Sequence, residues 1–236
     1  MDRIVFFDID GTMTDTPSAW RAGAAALLER GRHVLGDMDF ETFYGIWSDR
    51  SRHHFERFMR GEISYVDQGR YRMRDLYASA GGAISDDEAD TELAQYRADC
   101  DENLGLHDDV LPCLEALAAG RLGVITNGQL IQQRRKLEIH DLLKWFDPVL
   151  VSEEVGVPKP APEVFHEAAR RAKLPPERCL YVGDWLDIDA LGARDAGMYG
   201  VWIRRDGQPV PEECPVPVIE TLAELPDLVA EWETTL

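Results

Sequence analysis

The sequence predicts an α/β protein in which a parallel sheet is covered by helices on both faces and an all-helical domain is inserted after the first strand. Apolar runs without a polar break, such as Ile4–Phe7, are typical of strands buried on both faces. After Gly105, such runs alternate with segments of helical periodicity, as the crossovers of a parallel sheet require. Between residue 16 and Gly105, apolar residues recur only at helical spacing. The predicted core is therefore a Rossmann-like parallel sheet.

The first predicted strand leads directly into two carboxylates, Asp8 and Asp10, and then Gly11. Side chains alternate along a strand, so both carboxylates leave its end on the same side if the extended geometry persists. Open α/β sheets place ligands at the carboxyl ends of their strands, and two like charges at short range need a cation or a shared proton. The simpler interpretation of these residues alone is an Asp helix cap followed by an Asp-Gly turn.

The inserted region begins at Thr16-Pro17, where a hydroxyl cap precedes a proline at the first helical position. We expect about four helices and no strands between residues 16 and 98. Residues 43–77 hold seven arginines against five acids, whereas the whole chain has a formal charge of −19. Such a stretch is either a solvated helix face or a surface that attracts anions.

The remainder of the chain predicts four more strands and five helices. A stretch with four prolines, 208–217, is expected to be a surface loop. The predicted strands cover 122–125, 149–151, 179–182 and 201–203, and the predicted helices cover 110–119, 130–139, 162–173, 188–196 and 222–232.

Length and composition restrict the class of protein. The 236 residues, 44% hydrophobic and 29% charged, are enough to bury a sizeable core. The charge of −19 argues against nucleic acid or an acidic membrane surface as partner, and it means that an anion site needs local positive charge or a metal. No apolar run approaches ~20 residues, so we expect no membrane span.

The spacing of the cysteines and the N-terminal residues allow a prediction of the cellular compartment. The four cysteines form no C-x-x-C pair, which suits a reducing compartment. Met1-Asp2-Arg3 leads straight into the first strand and leaves no room for a signal peptide. We therefore predict a cytoplasmic protein. The oligomeric state is left open between a monomer and a homodimer.

Polar clusters follow four of the predicted strands or the loops after them. They are Asp8 with Asp10, Thr126 with Asn127, Lys159, and Asp184 with Asp189. Each alone has an ordinary alternative, because Thr-Asn-Gly is common turn material and Asp184 could cap a helix. Lys159 could be a solvated loop lysine, although it is one of only four lysines beside 21 arginines.

Taken together, the order and spacing of these clusters resemble the haloacid dehalogenase (HAD) superfamily over essentially the whole core. Residues 8–14, 126–128, 159–165 and 183–193 are similar to its four motifs. The helical insert resembles the family's C1-type cap, which closes over the site. The resemblance implies a discontinuous core, 1–15 and 99–236, and a cap at 16–98.

The resemblance also implies residue roles. Asp8 would be the nucleophile that forms an aspartyl-phosphate, and Asp10 would protonate the leaving alcohol and then deprotonate water. The Thr126 hydroxyl and the Asn127 backbone N–H would bind phosphoryl oxygens. Lys159 would place positive charge between Asp8 and the phosphoryl group.

A divalent cation belongs to the same implied set. Mg²⁺ would be held by a carboxylate oxygen of Asp8, the main-chain carbonyl of Asp10 and the carboxylate of Asp184, with Asp189 acting through water or orienting Lys159. An anionic nucleophile approaching a phosphoryl anion costs roughly 4 kcal/mol per charge pair at 4 Å and an effective dielectric near 20. Mg²⁺ and one lysine reverse that repulsion, and hard oxygen ligands suit Mg²⁺.

Asp10 narrows the reaction, because the family's dehalogenases lack an Asp there and its phosphonatases carry a small residue. The expected enzyme is a Mg²⁺-dependent phosphatase of a small phosphate monoester, such as a nucleotide or a sugar phosphate. One alternative is a sugar-phosphate mutase, whose expected cap loop is not evident. Another is a non-catalytic phosphoryl-binding module, although receiver domains have about half this length.

Several residues are candidates without a settled role. Arg50, Arg52 and Arg57 are candidate substrate-binding residues of the cap. His53 and His54 could contact substrate or be structural. Trp185 stands where the family often has a small or polar residue, and it could pack or line the leaving-group pocket.

Overall fold

The computed structural model describes residues 2–205 and 207–236, and the chain divides into two compact units. The first unit is formed by residues up to 15 and from 106 onward, and the second by residues 16–105. The predicted insert, 16–98, stops inside the helix Asp86–Glu102, whereas the second unit extends through residue 105. Apolar periodicity fades after Tyr96 in the acidic end of this helix.

The first unit is built on a six-stranded sheet with the order β5-β4-β1-β6-β7-β8, and each reported strand pair in it is parallel. This confirms the predicted α/β fold class. A separate two-stranded sheet joins β2 and β3. The strands are β1 Ile4–Phe7, β2 Thr14–Asp15, β3 Gly105–Leu106, β4 Arg121–Thr126, β5 Val149–Val151, β6 Cys179–Gly183, β7 Tyr199–Ile203 and β8 Val218–Ile219.

Strand β1 lies at the centre of the sheet, between β4 and β6, and its side chains alternate between two apolar cores. Val5 and Phe7 belong to one core, and Ile4 and Phe6 belong to the other. All four are fully buried, as expected for a parallel strand with helices on both faces. The end of β1 is thereby fixed at the middle of the carboxyl edge of the sheet.

Ten α-helices lie within the described residues. Two of the helices that the sequence predicted begin with a non-α segment: a π-helical segment, Leu186–Ala190, precedes α9, and a 3₁₀ turn, Leu222–Glu224, precedes α10. The helices are α1 Thr16–Leu35, α2 Phe40–Met59, α3 Tyr65–Ser79, α4 Asp86–Glu102, α5 Val110–Leu117, α6 Leu130–Ile139, α7 Ser152–Val155, α8 Pro162–Ala172, α9 Leu191–Asp195 and α10 Leu225–Glu233.

The second unit consists of helices α1–α4 around its own apolar core, which includes Leu27, Phe43, Trp47 and Met73. Many arginines of its arginine-rich stretch, residues 43–77, form ion pairs with carboxylates of the same unit. Much of the positive charge of this stretch is therefore neutralised by nearby acidic residues. The pairs are Arg52–Asp49, Arg57–Glu62, Arg60–Glu62, Arg70–Asp90 and Arg74–Asp86.

The length and hydropathy of a helix decide whether it can span a membrane. Among the described residues, we find no helix whose length and hydropathy would let it cross a bilayer.

Candidate active site

The candidate site lies at the carboxyl edge of the sheet, where three neighbouring strands end in polar residues. Asp8 follows β1, and its backbone N–H donates to Val182 O of β6 at 2.9 Å. Thr126 is the last residue of β4, and Asp184 directly follows β6. Parallel strands in register end at the same edge, so the fold itself brings these side chains together.

The Lys159 ammonium joins several of these groups. Its Nζ donates to Asp8 Oδ1 at 2.8 Å, to Asp189 Oδ1 at 2.7 Å and to the Tyr181 hydroxyl at 2.6 Å. Lys159 is only 2% exposed, and Asp8 is 5% exposed. The alternative of a solvated loop lysine is therefore wrong, because this lysine is a buried cation held by two carboxylates.

Three carboxylates crowd together beside this lysine. One oxygen from each of Asp8, Asp184 and Asp189 lies within 4.8 Å of the others. Burial raises the pKa of Asp8 to about 7, against the attraction of Lys159. Burial, with the charges of Asp189 and Asp8, also raises the pKa of Asp184. Three ionised carboxylates would carry more negative charge than one lysine offsets, so the cluster favours either protonation or a bound cation.

Lysine 159 itself remains firmly protonated. Burial alone would lower the pKa of Lys159, but the charges of Asp189 and Asp8 outweigh burial and raise it above its ordinary value. The site therefore holds a permanent cation next to Asp8.

The donor set fits a hard divalent cation. Asp189 is already engaged, because its Oδ1 accepts from Lys159 and Tyr181 and its Oδ2 accepts from the Trp185 N–H at 3.0 Å. Asp8 and Asp184 are thus the members of the cluster best placed to share an ion. Carboxyl groups whose pKa values are raised by burial and by neighbouring negative charge gain most from a cation that needs oxygen ligands.

A glycine lets Asp184 reach this position. Gly11 has φ +77°, and a Cβ placed on it would lie 2.2 Å from Asp184 Oδ2. Thr12 Oγ1 donates to the other oxygen, Oδ1, at 3.4 Å. Gly11 therefore both allows the turn after Asp10 and leaves room for the Asp184 carboxylate.

Asn127 fixes the loop that carries Lys159. Its Oδ1 accepts from the Lys159 backbone N–H at 2.8 Å, and its Nδ2 donates to the Lys159 carbonyl at 3.1 Å. This reciprocal pair ties the residue after β4 to the loop that precedes α8. The HAD resemblance implies only a backbone role for Asn127, so this side-chain function is an addition from the structure.

Asp10 lies beside two residues that the sequence argument did not identify. Lys136 Nζ donates to Asp10 Oδ1 at 2.5 Å and to Oδ2 at 2.7 Å. Gln133 Nε2 donates to Asp10 Oδ2 at 3.0 Å and to Thr126 Oγ1 at 2.5 Å. Both residues belong to α6, which begins two residues after Gly128.

The turn after Asp10 is also held from the opposite end of the chain. Arg205 Nε donates to the Thr12 carbonyl at 2.9 Å, and its two terminal nitrogens donate to Asp109 at 2.8 and 3.0 Å. Asp109 in turn accepts from the Thr221 hydroxyl and the Leu222 N–H. The bidentate ion pair with Asp109 fixes the Arg205 guanidinium, which in turn holds the turn after Asp10 through the Thr12 carbonyl.

The remaining candidates lie in the helical unit, apart from Trp185. Arg50, Arg52 and Arg57 are on α2, where Arg52 pairs with Asp49 and Arg57 pairs with Glu62. His54 is buried, and its Nε2 lies 2.8 Å from Asp75 Oδ2, which favours the structural interpretation.

The histidine and tryptophan that had no settled role differ in exposure. His53 is exposed and lies edge-on to the His54 ring. The Trp185 side chain is 52% exposed, so it does not pack into either core of the α/β unit. Its backbone N–H, rather than its ring, contributes to the site through Asp189.

With this geometry in place, comparison with known proteins identifies the family. A family model described as haloacid dehalogenase-like hydrolase matches residues 3–197. The chain belongs to this family. The match includes each of the four polar clusters at the carboxyl edge, so the predicted HAD resemblance is confirmed.

Two similar proteins are both named phosphatases. The chain is 34% identical over 210 residues to the glyceraldehyde 3-phosphate phosphatase of Methanopyrus kandleri, covering 87% of this chain and 85% of that protein. It is 29% identical to the human N-acylneuraminate-9-phosphatase, covering 96% of this chain and 93% of that protein. The predicted enzyme class, a phosphoric monoester hydrolase of the HAD family, is confirmed.

A solved structure shows the same fold over the whole chain. It is the HAD hydrolase YfnB from Bacillus subtilis, solved with bound magnesium, with a TM-score of 0.82 and 24% identity. The alignment covers 97% of this chain and 99% of that one.

Proposed function

We propose that this HAD hydrolase is a Mg²⁺-dependent phosphatase that cleaves a small phosphate monoester through an aspartyl-phosphate on Asp8. The observation that carries the proposal is the buried Lys159–Asp8 pair at 2.8 Å, next to the Asp184 carboxylate, at the end of the central strand. A carboxylate held against a permanent cation can approach a phosphoryl group that would otherwise repel it.

Two half-reactions follow from this arrangement. A carboxylate oxygen of Asp8 attacks phosphorus, the bond from phosphorus to the ester oxygen breaks, and Asp10 gives its proton to the departing alkoxide. Asp10 then takes a proton from water, which attacks phosphorus. The bond from phosphorus to Asp8 breaks, inorganic phosphate leaves, and the Asp8 carboxylate is restored.

The phosphoryl oxygens need donors in both steps. Lys159 supplies one, and the Thr126 hydroxyl and the Asn127 backbone N–H supply two more. Asp8, Asp184 and the Asp10 carbonyl would hold Mg²⁺, which supplies positive charge to the phosphoryl group, with Asp189 orienting Lys159 or a bound water. Positioning and charge neutralisation are the main requirements of phosphoryl transfer.

The substrate is proposed to be a soluble small molecule. The relatives act, by name, on glyceraldehyde 3-phosphate, N-acylneuraminate 9-phosphate and ribulose 1,5-bisphosphate. We also propose that the helical unit is the family's C1-type cap, with Arg50, Arg52 and Arg57 as candidate substrate contacts. A cytoplasmic monomer or homodimer without nucleic-acid or membrane partners completes the proposal.

A substrate panel tests this function. Nucleotides, sugar phosphates and short-chain phosphates are incubated with the protein and Mg²⁺, and inorganic phosphate is measured against an Asp8→Asn blank. We expect release from at least one class, loss of release with a chelator, and recovery when Mg²⁺ is restored. An isomerised product with little phosphate would indicate the mutase instead, and no turnover of any ester would support a binding module.

The acid role of Asp10 makes a separate prediction. Asp10→Asn should cut the turnover of an alkyl phosphate by ~10²-fold or more, because the alkoxide then departs without a proton. Hydrolysis of p-nitrophenyl phosphate should fall far less, since nitrophenolate is a good leaving group. The check is kcat for both substrates at saturating Mg²⁺, and equal losses would argue against the acid role.

A further inference from the structure

Helix α6 presents two functional groups from one face to the candidate site. Gln133 and Lys136 are three residues apart, a spacing that places side chains on the same side of a helix. Gln133 is 2% exposed, and the Lys136 side chain is 17% exposed. A Cβ on Gly128 would lie 3.3 Å from Gln133 Cδ and Cγ, so this glycine leaves space for the glutamine to reach inward.

The Gln133 amide can be oriented from its partners. Asp10 Oδ2 lies 3.0 Å from one terminal atom of the amide. When Asp10 is ionised, this oxygen accepts but does not donate, so that atom is Nε2. Its second N–H then points to Thr126 Oγ1 at 2.5 Å, and Thr126 accepts this hydrogen bond. The Thr126 hydroxyl proton is consequently left to donate to another group.

The Lys136 ammonium restricts Asp10 from a second direction. Its Nζ lies within 2.7 Å of both carboxylate oxygens of Asp10, and Gln133 holds one of those oxygens as well. A carboxylate gripped at both oxygens by separate donors has little freedom to rotate about its terminal bond. The contact spans 126 residues of sequence, so it also links α6 to the end of β1.

We propose that Gln133 and Lys136 are positioning residues of the phosphatase reaction. Lys136 fixes the orientation of the Asp10 carboxyl group toward the leaving group, and Gln133 couples Asp10 to Thr126 and directs the Thr126 hydroxyl toward the phosphoryl oxygens. This assignment rests on the proposed function. The assignment adds to the proposed function that residues of helix α6 control protonation of the leaving group.

A purely structural ion pair would behave differently. Asp10 and Lys136 are each partly exposed, with 24% and 17% of the side chain accessible, so a structural pair would affect stability modestly and all substrates equally. If Lys136 positions Asp10, its loss slows only the step in which Asp10 protonates the leaving group. It therefore separates substrates by the quality of their leaving group.

The decisive experiment compares Lys136→Met with the wild type on p-nitrophenyl phosphate and on the best alkyl phosphate of the panel. We expect kcat on the alkyl phosphate to fall by about 10- to 100-fold, because a displaced acid transfers its proton poorly. We expect kcat on p-nitrophenyl phosphate and both KM values to change by less than about 3-fold. Gln133→Met should additionally raise KM for both substrates, because it disturbs Thr126.

Two controls isolate the effect. Lys144→Met removes an exposed lysine of the same unit, paired with Asp141, and should leave both rates unchanged. Lys136→Met added to Asp10→Asn should cost nothing further on the alkyl phosphate, because Lys136 acts through Asp10. Thermal unfolding of each variant identifies any rate loss that comes from misfolding. In that case Lys136→Arg, which keeps the cation but shifts its donor atoms, is measured instead, with the same selective loss expected on the alkyl phosphate.

The outcomes separate the two proposals. A wild type that hydrolyses no ester overturns the proposed function, and this assignment with it. An active wild type in which Lys136→Met slows both substrates equally, or behaves like Lys144→Met, or remains costly in the Asp10→Asn background, overturns the assignment alone.

Discussion

Replacing Asp8 with Asn is expected to reduce phosphate release from every ester by about 10⁴-fold or more, while the fold is retained. The carboxamide is a poor nucleophile, and the buried Lys159 beside it loses the anion that it orients at 2.8 Å. Burial raises the pKa of Asp8 to about 7, so a neutral side chain is tolerated there. Thermal unfolding without metal should therefore occur at a temperature equal to or above that of the wild type.

The intermediate gives this prediction a second readout. After acid quench during turnover, intact-mass measurement should show one added phosphoryl group on the wild type and none on Asp8→Asn. The matched control is Asp187→Asn, which removes an exposed carboxylate from the π-helical segment just after Asp184 and should keep both rate and adduct. An Asp8→Asn protein that still forms the adduct would place the nucleophile elsewhere.

The central sheet could be predicted because its strands are buried on both faces and lack polar interruptions. Strand β5 has the predicted bounds, β6 is longer than predicted by one residue at one end, and β4 is longer by one residue at each end. The short strand β8 was missed, since Val218–Ile219 is defined by its pairing with β7 rather than by its own pattern. It also directly follows the proline-rich stretch that was expected to be a loop.

The residues that meet at the carboxyl edge could be predicted where each one follows a strand in a recognisable cluster. Asp8, Lys159 and Asp189 are joined in the structure by direct hydrogen bonds. Tyr181 was missed because it lies within an apolar strand and its hydroxyl is invisible to a pattern of burial.

Gln133 and Lys136 were missed for a different reason. Helix α6 is polar on most of its surface, and the face that points to Asp10 is determined only when α6 packs beside the sheet. A signal was present in the sequence: Lys136 is one of four lysines in the chain, as is Lys159, and it stands three residues after Gln133.

Replacing Lys159 with Met is expected to lower the free energy of unfolding by about 3–5 kcal/mol, because it leaves buried carboxylates without their cation. Asp8 and Asp189 lose hydrogen bonds of 2.8 and 2.7 Å to the same nitrogen. Hydrolysis should fall by about 10²- to 10³-fold or more, since a donor to the phosphoryl group is removed. Urea unfolding and kcat measure the two effects.

The pH dependence identifies the cause of that instability. The pKa of Asp8 is about 7 in the folded chain, against about 4 when unfolded, so folding binds its proton more tightly and this carboxyl lowers stability as pH rises through that range. Without Lys159 the folded pKa of Asp8 rises further. The stability lost in Lys159→Met should therefore be larger at pH 8 than at pH 5.

Two further variants test whether the loss of charge causes the instability of Lys159→Met. Lys144→Met, which breaks an exposed pair, should cost less than about 1 kcal/mol at either pH. Adding Asp8→Asn to Lys159→Met should restore at least about 1 kcal/mol at pH 8, because one unpaired buried charge is then removed. If the double variant is no more stable than Lys159→Met and the loss does not depend on pH, the lysine contributes by packing along its aliphatic chain, and the electrostatic account of the site fails.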